Sequence, residues 1–248
     1  SYVDRVPVSV SSDPSGLDLV TAYAYDPHRL LTGAVDPAGR SSSFGYDANG
    51  NLVSADLPGA PGLAFVNDAS GQPVERRNAL GTRAVVTRDG SGRVTREEAF
   101  DAASTLLARI DYTYDANGNQ TTVTRHRTID GVLTALTTTY GWDAANRMVA
   151  RTDPAGGTSR FDYDATGRQV AMVDALGRRT TTAYDVLGRI ERVTYPDGSF
   201  EAWTFDPEGN AVAWIDRAGR TTTYAYDEAN RRVLTTSPGG ATLRRIYT

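Results

Sequence analysis

The side chains of this 248-residue chain with the plainest capacity for chemistry are aspartates that recur behind an aromatic residue. They stand at Tyr25-Asp26, Tyr46-Asp47, Tyr114-Asp115, Trp142-Asp143, Tyr163-Asp164, Tyr184-Asp185, Phe205-Asp206 and Tyr226-Asp227, with degenerate copies at Asn67-Asp68 and Arg88-Asp89. Carboxylates at turns can serve acid–base catalysis or ligate calcium. Asp-Ala-Asn-Gly-Asn at residues 115–119 opens like a calcium loop but lacks the glutamate that would complete one. The same residue in ten places is better explained by one shared task, accepting hydrogen bonds from turn backbone. The expectation is therefore a structural role for these residues, with no catalytic, metal-binding or cofactor-binding set.

The remaining candidates point the same way. His28 follows Pro27 and His126 lies in an interval longer than the rest; neither has a nucleophile motif nearby, and both are expected to be solvated. Arg40, Arg93, Arg168, Arg189 and Arg220 follow turn glycines and could form a row for a polyanion. Aspartates one turn away favour a paired or exposed charged row instead.

What positions these residues is a pair of turns. Gly50, Gly71, Gly92, Gly118, Gly167, Gly188 and Gly209 come three residues after their aspartates, with Asn146 and Asn230 substituting. Glycine and asparagine tolerate the positive φ that a tight hairpin needs. About ten residues on comes a second signal, as in Asp36-Pro37-Ala38-Gly39, Asp153-Pro154-Ala155-Gly156 and Asp174-Ala175-Leu176-Gly177. Asp first, Pro second and Gly fourth suit a type I turn.

Between turns the residues alternate, so that Tyr224 and Tyr226 share one strand face and Thr223 and Ala225 the other. The aromatic pair recurs at Tyr23/Tyr25, Phe44/Tyr46, Tyr112/Tyr114, Tyr140/Trp142, Phe161/Tyr163 and Trp203/Phe205, and is expected to stack into a ladder that fixes register.

The aspartates follow one another at 21 residues except for two intervals of 26 and 28. The extra residues, near 97–108 and 126–136, are expected in exposed loops, here as a longer hairpin end. The organisation predicted is an N-terminal lead-in or partial repeat over 1–22 and ten repeats over 23–248.

Composition agrees with an all-β fold of strands and tight turns: 24 glycines and 13 tyrosines against 2 methionines. A net charge of -4 gives no basic field for nucleic acid. There is no cysteine for a disulfide or thiolate site, and no apolar run of the roughly 18 residues a membrane helix requires. The opening residues do not read as a signal peptide, and a start at Ser1 suggests a piece of a longer polypeptide.

A unit of the form aromatic-x-Tyr-Asp-x-x-Gly-Arg followed by Asp-x-x-Gly-Arg resembles the YD repeat of RHS proteins; residues 163–168 and 184–189 fit it without departure. The resemblance implies tandem β-hairpins in a spiralling, single-layer antiparallel sheet that forms part of a hollow shell, as in bacterial RHS effectors, Tc-toxin encapsulating components and teneurins. It also implies a secreted or delivered protein whose partners are the rest of its shell, an enclosed C-terminal toxin domain and components of a delivery apparatus such as type VI secretion. The family's self-cleaving closing segment is not reproduced before Thr248. Binding of carbohydrate or a cell-surface partner by exposed aromatic and arginine rows is the alternative.

Overall fold

The computed structural model describes residues 2–3, 6–7, 9–11, 19–60, 62–129 and 132–247. The chain divides into two compact units, one comprising Ser1–Asp115 with Thr122–Thr137 and the other Ala116–Thr121 with Thr138–Thr248. The described residues contain no helix. In the first unit the strands Val20–Tyr25, Leu31–Val35, Ser41–Tyr46 and Leu52–Asp56 each pair antiparallel with the next, and the pattern continues onward. In the second, Thr158–Tyr163, Gln169–Val173, Arg179–Tyr184, Ile190–Thr194 and Phe200–Phe205 do the same. This is the all-β, single-layer sheet of tandem hairpins that the repeat predicts.

A single layer has no interior to fill. Among the described residues only Ala55, Val123, Ala171 and Thr138 are fully enclosed, and no large side chain is. Strand burial alternates accordingly: in Val20–Tyr25 and Thr221–Tyr226 the aromatics are half-buried and their neighbours exposed. Stability must come from contacts along the sheet, between each hairpin and the next.

Each 21-residue repeat carries one β-bulge, placed just after the aromatic-Asp turn. Tyr163 pairs with Gln169 but Asp162 with Ala171, so Val170 is the extra residue. The bulge solves a parity problem. Side chains alternate with period two, so carrying Tyr163 across two regular antiparallel pairings would leave only odd-numbered positions on its face, and Tyr184 would point away. The bulge shifts the count by one and returns Tyr184 to the face of Tyr163, as the register through Met172↔Thr180 shows. The 26-residue interval from Asp89 to Asp115 obeys the same rule with two bulges, one between Thr87 and Arg88 and a second between Ala99 and Phe100.

The extra residues near 97–108 form a longer hairpin end and not an irregular loop. They lengthen two strands, Val94–Phe100 and Leu106–Tyr114, joined by a tight turn at Asp101. Those near 126–136 likewise fall in Gln120–Ile129 and Val132–Trp142, apart from residues 130 and 131, which lie outside those described. Backbone amides added at a hairpin end can pair with one another, and Val94–Phe100 and Leu106–Tyr114 do so over their added length. Half of the expected lead-in over 1–22 lies outside the described residues.

Candidate functional site

The most elaborated geometry in the molecule is the row of aromatic-Asp turns. At Asp26, Asp47, Asp68, Asp89, Asp143, Asp164, Asp185, Asp206 and Asp227 the aspartate N–H donates to the carbonyl four residues on, and the N–H three residues on donates to the aspartate carbonyl: Asp164 to Arg168 at 2.9 Å and Gly167 to Asp164 at 3.0 Å. This is a type I turn closed by one left-handed residue. Gly167 holds φ 87°, and Asn146 and Asn230 hold 59° and 58° at the equivalent place. Glycine and asparagine are thus selected by the backbone, as Gly50, Gly118, Gly188 and Gly209 are at φ 82–95°.

The aspartate side chain then serves two masters. Asp164 Oδ1 accepts from the N–H groups of Thr166 and Arg168, both at 2.9 Å, while Oδ2 takes Arg168 Nε at 2.7 Å. Asp143 with Arg147, Asp185 with Arg189 and Asp227 with Arg231 repeat the arrangement. Asp47 and Asp206 replace the arginine by Asn51 and Asn210, and Asp26 accepts from the N–H groups of His28 and Leu30. At Asp143 the Arg147 guanidinium and backbone hold the carboxyl below its usual range. At Asp164 and Asp185 partial burial works the other way but is outweighed by the same donors. In these turns the carboxylate accepts hydrogen bonds from its own turn.

The arginine links one repeat to the next. Arg147, Arg168 and Arg189 lie 4.7, 4.7 and 4.2 Å from the ring centroids of Tyr163, Tyr184 and Phe205. Successive aromatics sit on alternate strands, about 9.6 Å apart at the usual strand spacing. The direct ring ladder expected from sequence is therefore interleaved in these three gaps, each of which holds a guanidinium. The five arginines named above each pair with their own turn's aspartate at 2.6–2.7 Å. Those on the second-turn row are more open, Arg40 and Arg220 being 68% and 67% exposed against 37% and 27% for Arg168 and Arg189.

The tyrosine hydroxyls add a link that sequence reading missed. Tyr46, Tyr163, Tyr184 and Tyr226 donate to the carbonyls of Leu31, Met148, Gln169 and Ala211 at 2.8–3.0 Å. Each acceptor is the residue paired with the preceding repeat's aromatic, next to the bulge. Tyr114 reaches Val94 and Trp142 Nε1 reaches Gln120 in the same manner. In the degenerate copy, Asn67 Nδ2 donates to Leu52. In these four tyrosines the acceptor lies 15 residues back, but no residue type marks it in the sequence.

One cluster breaks the repeat. Asp111, on the face opposite the aromatic row, receives Arg96 Nε at 2.7 Å, Arg109 Nε at 2.9 Å and His126 Nε2 at 2.7 Å. His126 is thus not the solvated residue expected: its side chain is 16% exposed and tied to a carboxylate. The longer strands bring it there, across from Asp111. Burial opposes ionisation of Asp111, but Arg96, Arg109 and His126 prevail and hold it at about 2. His28, by contrast, is 86% exposed beside Asp26. Phe100-Asp101 is a further aromatic-Asp turn unrecognised in the sequence, because Ser104, at φ 65°, stands in place of glycine. Among the described residues no group of three His, Cys, Asp or Glu is arranged to hold a metal ion, and no helix is long and apolar enough to cross a membrane.

Comparison with known proteins follows these boundaries. The profile of the RHS repeat family matches residues 30–60, 134–158, 163–199 and 205–242, more than half of the chain. No curated protein matches it. Among solved structures, a TcdB2-TccC3 crystal structure is similar at a TM-score of 0.53 and 15% identity, over 92% of this chain and 14% of that one. The Tc holotoxin pore of Photorhabdus luminescens is similar at 0.54 and 15% identity, over 88% of this chain and 14% of that one. The chain thus spans about a seventh of the length of the structures it matches. With tandem hairpins closed by Asp-x-x-Gly turns and joined by arginine-on-aromatic contacts, this chain belongs to the RHS repeat family.

Proposed function

We propose that this chain is a structural section of an RHS-repeat shell that encapsulates and protects a C-terminal toxin or cargo domain of a secreted polymorphic toxin. The observation that carries the reading is the mutual occupation of the repeat's reactive groups. The aspartates of the aromatic-Asp turns accept from their own turns, Arg147, Arg168, Arg189 and Arg231 cover the next ring, and the hydroxyls of Tyr46, Tyr163, Tyr184 and Tyr226 are bonded to the preceding repeat. Chemistry that recurs throughout the chain is thereby taken up in holding hairpin to hairpin, which suits a wall and leaves enzymatic work to another part of the parent. Similarity in fold to sections of Tc-toxin chains supports the same reading. Delivery by a type VI or similar apparatus, and use against competing bacteria, are its finer parts.

The experiment is limited proteolysis and imaging of the intact parent. A C-terminal domain resistant to protease until the repeat wall is disrupted, inside a particle with a visible lumen, is the expected result. A compact particle without a lumen, or a C-terminal domain digested equally in both states, would refute containment. Carbohydrate binding has less behind it, since Arg147, Arg168 and Arg189 lie on ring faces that a sugar would stack against.

A further inference from the structure

Arg147, Arg168, Arg189 and Arg231 share one arrangement: each pairs with its own turn's aspartate at 2.6–2.8 Å. Each also lies 4.2–4.7 Å from the centroid of the next ring, that of Tyr163, Tyr184, Phe205 or Tyr247. The repeat that begins at Asp206 departs from it. Asn210 stands where the arginine would, its amide donating to Asp206 Oδ2 at 3.0 Å and to Asn230 Oδ1 at 2.8 Å. Among the described residues no cation lies over the Tyr226 ring, and an open cleft of about 650 Å³ is found beside it, lined in part by Asp206, Glu208, Asn210, Tyr226 and Glu228. Asp227, also in the lining, is neutralised by Arg231 at 2.8 Å. Asp206, Glu208 and Glu228 have no ion pair among the described residues. Tyr224, also in the lining, already has Arg232 at 5.2 Å from its ring centroid.

We infer that this cleft binds a guanidinium group supplied by another molecule: an arginine side chain of a protein partner, set between Asp206 and the Tyr226 ring as Arg189 is set between Asp185 and Phe205. The ligand class comes from the neighbouring repeats, where the same aspartate-and-ring pair holds the chain's own guanidinium. Planarity suits a guanidinium better than an ammonium, because it can stack on the ring and present paired N–H donors to a carboxylate at once. A carboxylate oxygen that accepts from Asn210 keeps a second lone pair for the incoming donor. Glu208 and Glu228 in the lining supply attraction for a cation that the gaps already holding an arginine do not need. The inference does not depend on the containment reading.

The test is titration of the chain with blocked arginine (N-acetyl-arginine methylamide), blocked lysine and blocked citrulline, followed by amide chemical shifts around Asn210 and Tyr226. Saturable arginine binding, at least ~10-fold tighter than that of citrulline, is expected from the loss of charge over a ring and beside carboxylates. Asn210→Arg, which restores the arrangement of the neighbouring repeats, should abolish binding. The double change Glu208→Gln and Glu228→Gln, at exposed positions, should weaken it several-fold and serves as a second check if Asn210→Arg perturbs folding. Absence of saturable arginine binding, equal binding of citrulline or lysine, or unchanged affinity in both variants would overturn the assignment.

Discussion

Three residue positions can be tested singly. Gly167 holds a left-handed conformation with open space around it apart from the Arg147 side chain, so Gly167→Ala should cost about 1–2 kcal/mol through backbone strain alone. Gly167→Asn should cost less, because Asn146 and Asn230 occupy the same conformation in their own turns. Tyr163→Phe removes the hydroxyl bond to Met148 and should lower stability by roughly 0.5–1.5 kcal/mol in urea denaturation, with the ring contact to Arg147 retained. Asp111 makes a pH prediction. Its folded value is depressed from 3.8 to about 2, so its contribution is present above the ordinary carboxylate range and is lost as pH falls through about 2. The stability difference between the native chain and Asp111→Asn should therefore shrink between about pH 4 and pH 2; a difference constant across that range would remove the cluster from the account. Of these positions the turn glycines and aspartates were legible in sequence. The Tyr hydroxyl acceptors were not, because a backbone carbonyl carries no sequence signature.

At the scale of the element, the bulge is the feature with the largest consequence. An odd period of 21 and strict alternation within strands would by themselves turn successive copies to opposite faces. One extra residue per repeat reconciles the two, and Val170 is such a residue. Deleting Val170 should reverse the facing of Phe161 and Tyr163 relative to Tyr184, separating Arg168 from its ring. Val170→Ala, which keeps the count, should be mild. Thermal unfolding of both variants checks this: a deletion no more damaging than the alanine change would sink the parity argument. The same rule explains why the interval of 26 residues is tolerated, since its two bulges match an even count. Insertions expected as loops became strand because their amides and carbonyls could pair with one another.

For the molecule as a whole, a sheet with four fully enclosed residues among those described cannot be held by a central core. Its stability should behave as a sum over neighbouring hairpins. In hydrogen exchange, Gly167→Ala should lower protection in the strands Thr158–Tyr163 and Gln169–Val173 and their neighbours, while Leu31–Val35 and Ser41–Tyr46 remain unchanged. Uniform loss of protection along the chain would show one cooperative unit instead. Exposed apolar side chains such as Val186, Leu187 and Leu176 sit at turn tips, Val186 and Leu187 side by side in one turn.

The amino-acid sequence by itself determined the fold class, the hairpin unit, the turn residues and the family, because turn chemistry and strand alternation are local and were repeated often enough to stand above noise. Tertiary structure alone decided which partner each group takes: the arginine in the gap between rings, the tyrosine hydroxyl on the carbonyl 15 residues back, His126 on Asp111, and the cleft left by Asn210. Those contacts join residues on different strands, and their register depends on where a bulge shifts the count. That shift has no residue type of its own, so it enters only when the strands are laid side by side.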